Sequence, residues 1–440
     1  MRTADLSRFS TAKLPLLALA VAVVISMAAC SDSQLPIAGD DPPAPERSGD
    51  PDIAGDESEA ASGDADPVGD GGDAAPGGDT EPDGAATDGG GSAPDAGNPD
   101  GNASVPTDAR AEDTADPDTV IGNGTADSCT SEAVVDAVAQ GGVVTFDCGP
   151  DPVTITMTET AQMTAANPSL VLDGGGNVTL SGGGDRRILE ADVCVPMNEP
   201  RWCQSGPSLT LQNLRLVDAD SSGGETVGGA EDGGGAVLAK GARVKVVNSS
   251  FSDNRCVPAG ADPGGAALRL VMTPIGEPAT VVHSTFEDGA CSNGGAISGL
   301  FADLAVYNSR FVGNRAIGRG QNHPDPSGGQ DGVGLDGQPG GGLGGAIYMD
   351  GQQLTLTVAG SVLEDNHANE LGGAIFFVNN AEPSGVVSID ASTLQDNPAT
   401  EQDRWGSTPG LYLQGLEGFD PGQPLTGDQL SGIVTDTTLE

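Results

Sequence analysis

Aromatic residues are scarce in this chain of 440 residues, because Phe, Trp and Tyr together make up only 3% of it. A large globular core of the usual kind depends on aromatic side chains, so the composition argues against one. Gly (68 residues) and Pro (31 residues) are abundant instead. This balance favours extended chain with many tight turns.

Basic residues are also few. The chain has 18 Lys and Arg against 64 Asp and Glu, which gives a formal net charge of −46. Such a chain repels nucleic acid, so we expect no nucleic-acid partner. Its 3 His residues and the absence of a Cys-x-x-Cys pair argue against a zinc site. No Gly-x-Ser-x-Gly, Walker or Rossmann fingerprint occurs. We expect no resident cofactor, and at most weak binding of Ca²⁺ by the acidic surface.

The first residues have the order of an export signal. Residues 1–13 contain three basic side chains, and Leu14–Met27 is apolar apart from Ser26. This run is too short to span a bilayer comfortably as a helix, but it has the length of a signal-peptide core.

The leader ends in Met27-Ala28-Ala29-Cys30. This segment resembles a lipobox, which predicts a signal peptide over 1–29 and a lipid on Cys30. The alternative is an ordinary cleaved signal beside an incidental cysteine. Ser31 follows the cysteine where inner-membrane lipoproteins tend to have Asp. The resemblance therefore implies an outer-membrane protein, facing the cell surface and held in the membrane through Cys30.

Residues 30–125 are rich in Asp, Gly, Ala and Pro and contain little that is apolar. Such a segment cannot bury enough surface to offset its ordering entropy, so we predict a disordered tether. The folded domain is predicted over 126–420, followed by a C-terminal tail over 421–440.

A short amphipathic helix is predicted at the start of this domain, over Glu132–Gln140. Thr130 can cap it, and Gly141 stops it. This helix would cover the open end of a stacked sheet. Short β-rich runs separated by Gly and Asp clusters follow it. They include Val143–Phe146, Val153–Thr156, Leu170–Leu172, Val178–Leu180 and Leu209–Leu211.

Two motifs recur from residue 234 at intervals of about 30 residues, apart from one longer interval. Gly-Gly-Ala begins at Gly234, Gly264, Gly294, Gly344 and Gly372. The second motif, Ser-x-Phe/Leu-x-x-Asn in its commonest form, begins at Ser249, Ser284, Ser309, Ser361 and Ser392. Because no helical period lies between the motifs, the repeats predict an all-β fold, a right-handed parallel β-helix.

Stacking the second motif predicts three columns of equivalent residues. The first is an interior stack of Phe251, Phe286, Phe311, Leu363 and Leu394. The second is a hydroxyl ladder of Ser249, Ser284, Ser309, Ser361 and Ser392. The third is an amide ladder of Asn254, Asn314, Asn366 and Asn397, with each amide bonding the next.

The paired motifs resemble the repeats of polymorphic outer membrane proteins. Gly294–Ile297 and Phe311–Asn314 match both halves, as do Gly372–Ile375 and the degenerate Leu394–Asn397. The resemblance covers about residues 234–397 and implies a surface-exposed β-helix. Family members that anchor themselves end in a long barrel, which does not follow these repeats, so the resemblance leaves anchoring to Cys30.

Six cysteines lie beyond residue 128, and an even number after an export signal predicts disulfides. Cys256 and Cys291 each lie five residues after their motif Phe, so they should occupy one column on adjacent coils. That spacing suits a disulfide. The other predicted pairs are Cys129 with Cys148, at the capping helix, and Cys194 with Cys203.

The face beside the Asn ladder contains the best candidates for chemistry. Asp253, Asp288, Asp365 and Asp396 form one predicted column, and Arg255, Arg315 and His367 form another. Carboxylates could hold Ca²⁺ against a uronate, with Arg or His as a base. The alternative, which we favour, is that these are ordinary turn residues. A Gly-rich insertion over Gly318–Leu343 is predicted as a surface loop that could bind a partner.

The sequence therefore predicts a lipid-anchored, surface-exposed β-helix protein with an adhesive, structural or ligand-binding role. The expected ligand is a polysaccharide or a cell-surface protein, and the expected state is a monomer. The alternative function is a polysaccharide lyase or glycoside hydrolase that acts on an acidic polysaccharide.

Overall fold

We describe a computed structural model of the chain. It describes residues 96–195, 203, 206–223, 233–274, 276–321, 338–381, 383–401, 408–420 and 422–440. The chain divides into two units, Met1–Glu81 and Pro82–Glu440, and every described residue lies in the second. The predicted signal peptide, Cys30 and the tether as far as residue 95 lie outside the described residues.

The described fold is all-β apart from one α-helix and a few 3₁₀ turns, which confirms the predicted class. The helix, α1, spans Ser131–Gln140. The strands are β1 Thr119–Gly122, β2 Gly142–Asp147, β3 Val153–Thr156, β4 Ala161–Thr164, β5 Leu170–Ser181, β6 Leu189–Asp192, β7 Ser208–Val217, β8 Val237–Lys240, β9 Arg243–Val247, β10 Ser250–Ser252, β11 Leu268–Val271, β12 Ala279–Val282, β13 Thr285–Glu287, β14 Ala290–Cys291, β15 Ile297–Leu300, β16 Leu304–Tyr307, β17 Arg310–Val312, β18 Arg315–Ala316, β19 Ile347–Gly351, β20 Thr355–Ala359, β21 Val362–Glu364, β22 His367–Ala368, β23 Ile375–Asn379, β24 Val386–Asp390, β25 Thr393–Gln395, β26 Leu411–Gln414, β27 Val434–Thr435 and β28 Thr438–Leu439.

These strands form parallel sheets of 17, 8 and 3 strands. The largest sheet consists of two columns that share the long strands β5 and β7. One column runs through β9, β12, β16, β20 and β24, and the other through β10, β13, β17, β21 and β25. β5 joins two runs that were predicted as separate strands, with a register irregularity between Asp173 and Val178.

The register places the motif copies opposite one another. Phe251 pairs with Phe286, Phe286 with Phe311, and Phe311 with Leu363. The three Phe rings stack with centroids 4.8 Å apart, and all are buried. The predicted interior stack is therefore confirmed, and it belongs to one continuous apolar core between the sheets.

The register corrects one motif copy. Leu268 pairs with Val237 and Ile297, which makes Gly265, not Gly264, the equivalent of Gly234 and Gly294. Gly265, Gly234 and Gly294 all have positive φ, between 52° and 71°. A Cβ on Gly294 would lie 2.3 Å from the Ile297 carbonyl oxygen. Backbone geometry at this corner therefore requires Gly at the first position of the motif, while Ala266 is accepted at the second.

Helix α1 begins one residue before the predicted start and has the predicted cap and end. The Thr130 side chain accepts a hydrogen bond from Ala133 N–H, and Gly141 ends the helix with a φ of 71°. Val134 and Val138 are buried in the core. The helix packs against β4 and β1, which are edge strands of two sheets. It therefore covers one end of the stack, as expected.

Described strands extend beyond both predicted ends of the domain. Residues 422–440 are not a separate tail, because β27 pairs with β24 and β28 pairs with β25. Residues 96–125 are not a tether either, because β1 pairs with β2 and the segment before it lies on the large sheet. We call residues 96–118 the strap.

Two buried amide side chains hold the strap. Asn308 accepts from Ala103 N–H at 2.8 Å and donates to its carbonyl at 2.9 Å. Gln212 makes the same pair of bonds with Glu112, at 2.9 and 3.1 Å. Each amide thus satisfies the strap backbone as a neighbouring strand would. This polar pairing adds to a small apolar contact, in which Ala109 of the strap packs with Val247 and Val282 of the sheet.

Candidate functional site

The predicted Asp column consists of turn residues. Asp253, Asp288, Asp365 and Asp396 have φ between 52° and 55°, and Gly313 takes the equivalent position with a φ of 66°. Asp and Asn tolerate this left-handed conformation better than most residues, and Gly tolerates it best. The left-handed backbone conformation therefore explains why Asp and Gly occupy this column. This agrees with the interpretation, favoured from the sequence, that these are ordinary turn residues.

The predicted asparagine ladder is present in part. Asn314 Nδ2 donates to Asn366 Oδ1 at 2.9 Å, and Asn366 Nδ2 donates to Asn397 Oδ1 at 2.9 Å. The ladder does not reach Asn254 by amide contacts, because Gly289 intervenes and donates its N–H to Asn314 Oδ1 at 3.1 Å. These side chains are buried and saturate backbone groups at the turn.

The serine column forms a ladder of a different kind from the one predicted. Ser284 Oγ donates to the Val282 carbonyl at 2.8 Å and accepts from Ser249 N–H at 3.2 Å. The same pattern holds from Ser309 to Ser392. Each hydroxyl bonds backbone groups rather than the next hydroxyl, and it bridges the corner between the two columns of the large sheet. These hydroxyls are not available for chemistry.

The predicted Arg and His column is only partly contiguous. Arg255 pairs with Ala290, and Ala290 pairs with Arg315, so one residue separates the two guanidinium groups. Arg315 pairs with His367. Burial lowers the pKa of His367, and the Arg315 charge lowers it further. Nδ1 of His367 is buried without a hydrogen-bond partner, so it has no group that would orient it as a base.

An open cavity of about 600 Å³ lies beside this face, lined by Asp365, Asp396 and Glu440 together with Asn397, Pro398 and Ala399. Across the described part of the chain, no three His, Cys, Asp or Glu residues are arranged to hold a metal ion.

The structure joins the three cysteine pairs that the sequence indicates. Their Cα separations are 5.7 Å for Cys129 and Cys148, 5.2 Å for Cys194 and Cys203, and 4.8 Å for Cys256 and Cys291. The last separation is the distance between adjacent strands. Ala316 and Ala368 continue the same column, as the motif offset implies.

Only the base of the Gly-rich insertion is described. Arg319 pairs with Gly340 and Gln321 with Gly341 in antiparallel bridges. Glu370 accepts from Gly320 N–H at 2.8 Å. His323 and the insertion's three Asp residues lie outside the described residues.

The strap encloses a second cavity, of about 510 Å³, against the outer face of the large sheet. We call it the strap cavity. It is lined by Thr107, Asp108, Arg110, Ala111, Glu112, Ser208, Thr210, Arg243, Val244, Lys245, Gly276, Glu277, Pro278 and Thr280. Its volume lies within the range of about 300–1,000 Å³ that is typical of ligand sites.

Four of the charged side chains that line the strap cavity form two ion pairs. Lys245 Nζ lies 2.7 Å from Glu112 Oε1 and donates to the Arg110 carbonyl at 3.0 Å. Arg243 Nε lies 3.3 Å from Glu277 Oε2, and both of these side chains are exposed to solvent. Thr210, Lys245 and Thr280 are direct partners on three adjacent strands. Two cations and a row of hydroxyl groups thus face the strap.

This cavity is not predictable from the sequence motifs, because the strap has the composition of the predicted tether. The sequence contains two weak signals for the cavity. Arg110 is one of two basic residues in an acidic stretch, and Arg243-Val-Lys245 alternates charge with an apolar residue along a strand.

In the part of the chain that the structure describes, no helix is long and apolar enough to cross a membrane. Comparison of the chain with family models, curated proteins and solved structures found no match.

Proposed function

We propose that this chain is a right-handed parallel β-helix, anchored by a lipid on Cys30 at the surface of the bacterial outer membrane, that binds a ligand in the strap cavity. The observation that carries the binding role is the strap cavity itself. It combines cations, carboxylates and hydroxyl groups on a rigid sheet, at a volume suited to a small ligand.

The arrangement of the strands supports the β-helix. The described strand pairings are parallel, and each connects a strand with its equivalent in the next repeat. Three sheets surround one apolar core. α1 covers one end, which removes a template for aggregation.

The contrast between the two polar faces supports binding rather than catalysis. On the turn face, the Ser and Asn side chains are buried and bonded to backbone groups. In the strap cavity, Arg243 and Glu277 keep solvent contact, with 47% and 40% of their side chains exposed. A group that is already committed to the backbone cannot contact a ligand, whereas an exposed ion pair can open to admit one.

Fractionation of cells that express the full chain tests the anchor. We expect Cys30→Ala to move the protein from the membrane fraction to the soluble fraction, because the acyl chains are lost. Ser31→Asp is the matched control, which should stay membrane-bound. A Cys30→Ala protein that remains in the membrane would refute the lipid anchor.

A panel of glycans and proteins, probed with the soluble full chain, tests the binding role. The binding role is refuted if the chain binds no member of the panel.

A further inference from the structure

The strap cavity has a charge composition that the rest of the chain does not suggest. In a chain with a net charge of −46, three of the 18 basic residues line it. Arg110 comes from the strap, while Arg243 and Lys245 come from β9. Three carboxylates, those of Asp108, Glu112 and Glu277, line the same cavity. The cavity is therefore close to neutral, and an anion can enter where most of the surface would repel it.

The sheet wall presents hydroxyl groups in a regular arrangement. Thr280 of β12 pairs with Lys245 of β9, and Ser208 of β7 pairs with Arg243, two residues before Lys245. Thr210, the β7 partner of Lys245, is buried and does not contribute. Adjacent strands lie about 4.8 Å apart, so donors and acceptors recur at that interval across the sheet. A ligand that is rich in hydroxyl groups and lies across the strands can bond each of them in turn.

Two features of Arg243 suit it to a planar carboxylate. Its guanidinium is half-exposed, and its partner, Glu277 Oε2, lies 3.3 Å from Nε. Nε also donates to the Gly206 carbonyl at 3.4 Å. The solvent-exposed part of the guanidinium is the side from which a carboxylate can approach as a bidentate partner. An oligosaccharide spreads its carboxylate charges along its length, whereas phosphate concentrates about two charges at one point, which the carboxylates of Asp108, Glu112 and Glu277 repel more strongly.

We propose that the strap cavity binds a short oligosaccharide that carries carboxylate groups, with Arg243 and Lys245 meeting a carboxylate and Ser208 and Thr280 meeting ring hydroxyl groups. This inference rests on the proposed binding function and names its ligand class and residues.

Titration calorimetry on the full-length chain with Cys30→Ser, at low salt, tests the proposal. The probes are trigalacturonate, the neutral trisaccharide galactotriose and inorganic phosphate. We expect trigalacturonate to bind, galactotriose to bind at least about tenfold more weakly, and phosphate not to compete. Raising the salt concentration should weaken the binding of trigalacturonate, because the interaction is ionic and partly exposed.

Two variants with opposite expected signs separate binding from a structural role. Arg243→Gln should weaken trigalacturonate binding about tenfold, because it removes a charge-assisted contact. Glu112→Gln should strengthen binding, because it frees the charge of Lys245. The backbone bonds of Glu112 to Gln212 do not depend on its carboxylate. Arg255→Gln, an exposed cation outside the cavity, is the matched control and should bind as the parent does.

These experiments separate failure of the cavity and ligand assignment from failure of the proposed binding function. If trigalacturonate binds and neither Arg243→Gln nor Glu112→Gln changes its affinity, the cavity assignment is wrong while the binding function stands. Equal binding of galactotriose, or displacement by phosphate, overturns the assignment to a carboxylated ligand. If neither the oligosaccharides nor any member of the glycan and protein panel binds, the proposed function fails and this inference fails with it.

Discussion

Asn366 is the best position at which to measure what the asparagine ladder contributes to stability. Its buried side chain accepts from the backbone and side-chain nitrogens of Asn314 at 3.0 and 2.9 Å. It donates to the Phe311 carbonyl at 3.0 Å and to Asn397 Oδ1 at 2.9 Å. Replacement by alanine removes all four bonds and leaves buried polar partners that water cannot easily reach.

The expected loss in free energy of unfolding is large. Each hydrogen bond contributes about 1 kcal/mol net, and each orphaned buried group costs about 1–3 kcal/mol. Partial relaxation of the turn offsets some of this cost, so we expect Asn366→Ala to destabilise the domain by about 3–5 kcal/mol. That is a substantial share of the roughly 5–15 kcal/mol that stabilises a typical domain.

Asp365→Gly is the matched control in the same turn. Asp365 has a φ of 54°, and Gly313 already occupies the equivalent position in another repeat. Gly relieves the left-handed strain of about 1–2 kcal/mol, while its greater freedom in the unfolded chain offsets most of that gain. We expect a change of no more than about 1 kcal/mol, towards greater stability.

Urea unfolding with far-UV circular dichroism measures both variants, and hydrogen exchange shows whether β21 and β25 open locally. Repeat proteins can unfold in parts, so the exchange data decide whether a single transition is a valid description. An Asn366→Ala protein within about 1 kcal/mol of the parent would show that the ladder does not stabilise the turn. A strongly destabilised Asp365→Gly protein would show that the carboxylate has a role beyond the backbone.

Three further predictions concern other parts of the molecule. Replacing Cys256 and Cys291 together by alanine should lower the free energy of unfolding by roughly 3–4 kcal/mol, since the disulfide closes a loop with a sequence separation of 35. Peptide mapping of the non-reduced parent should recover this disulfide. Recovery of either cysteine bonded to a different cysteine would contradict the register. Limited proteolysis should leave a resistant fragment that begins near Ala96, because Asn308 and Gln212 bond the strap to the sheet. Early cleavage within 97–118 that leaves a fragment beginning near Thr125 would contradict the ordered strap. NMR titration should give His367 a pKa below its ordinary value of 6.5, and Arg315→Gln should raise the pKa of His367. Because the pKa is lower in the folded state, protonation of His367 should reduce the free energy of unfolding as the pH falls below about 6.5. His367→Gln should remove this pH-dependent loss of stability.

Local patterns in the sequence were sufficient for the helix, the strands and most of the register. Thr130 and Gly141 mark the ends of α1, because capping depends on neighbouring residues alone. The repeated motif determined which residues lie opposite one another, since equivalent residues of successive repeats stack in columns. Phe251 with Phe286, and Cys256 with Cys291, follow from the motif offset. The motif placed one copy a residue too early, because Gly264-Gly265-Ala266 matches Gly-Gly-Ala in the sequence. Strand pairing instead makes Gly265 the residue equivalent to Gly234 and Gly294.

Only the tertiary structure decided where the strap lies and what it encloses. The strap is too polar to be recognised as part of a folded domain, and the amides of Asn308 and Gln212 that order it lie far away in sequence. The strap cavity depends in turn on the strap, because Lys245 meets Glu112 and the Arg110 carbonyl only when that segment crosses the sheet. Contacts between residues so distant in the chain leave no periodic pattern in the sequence. The repeats could therefore be predicted from the sequence, whereas the strap cavity could not.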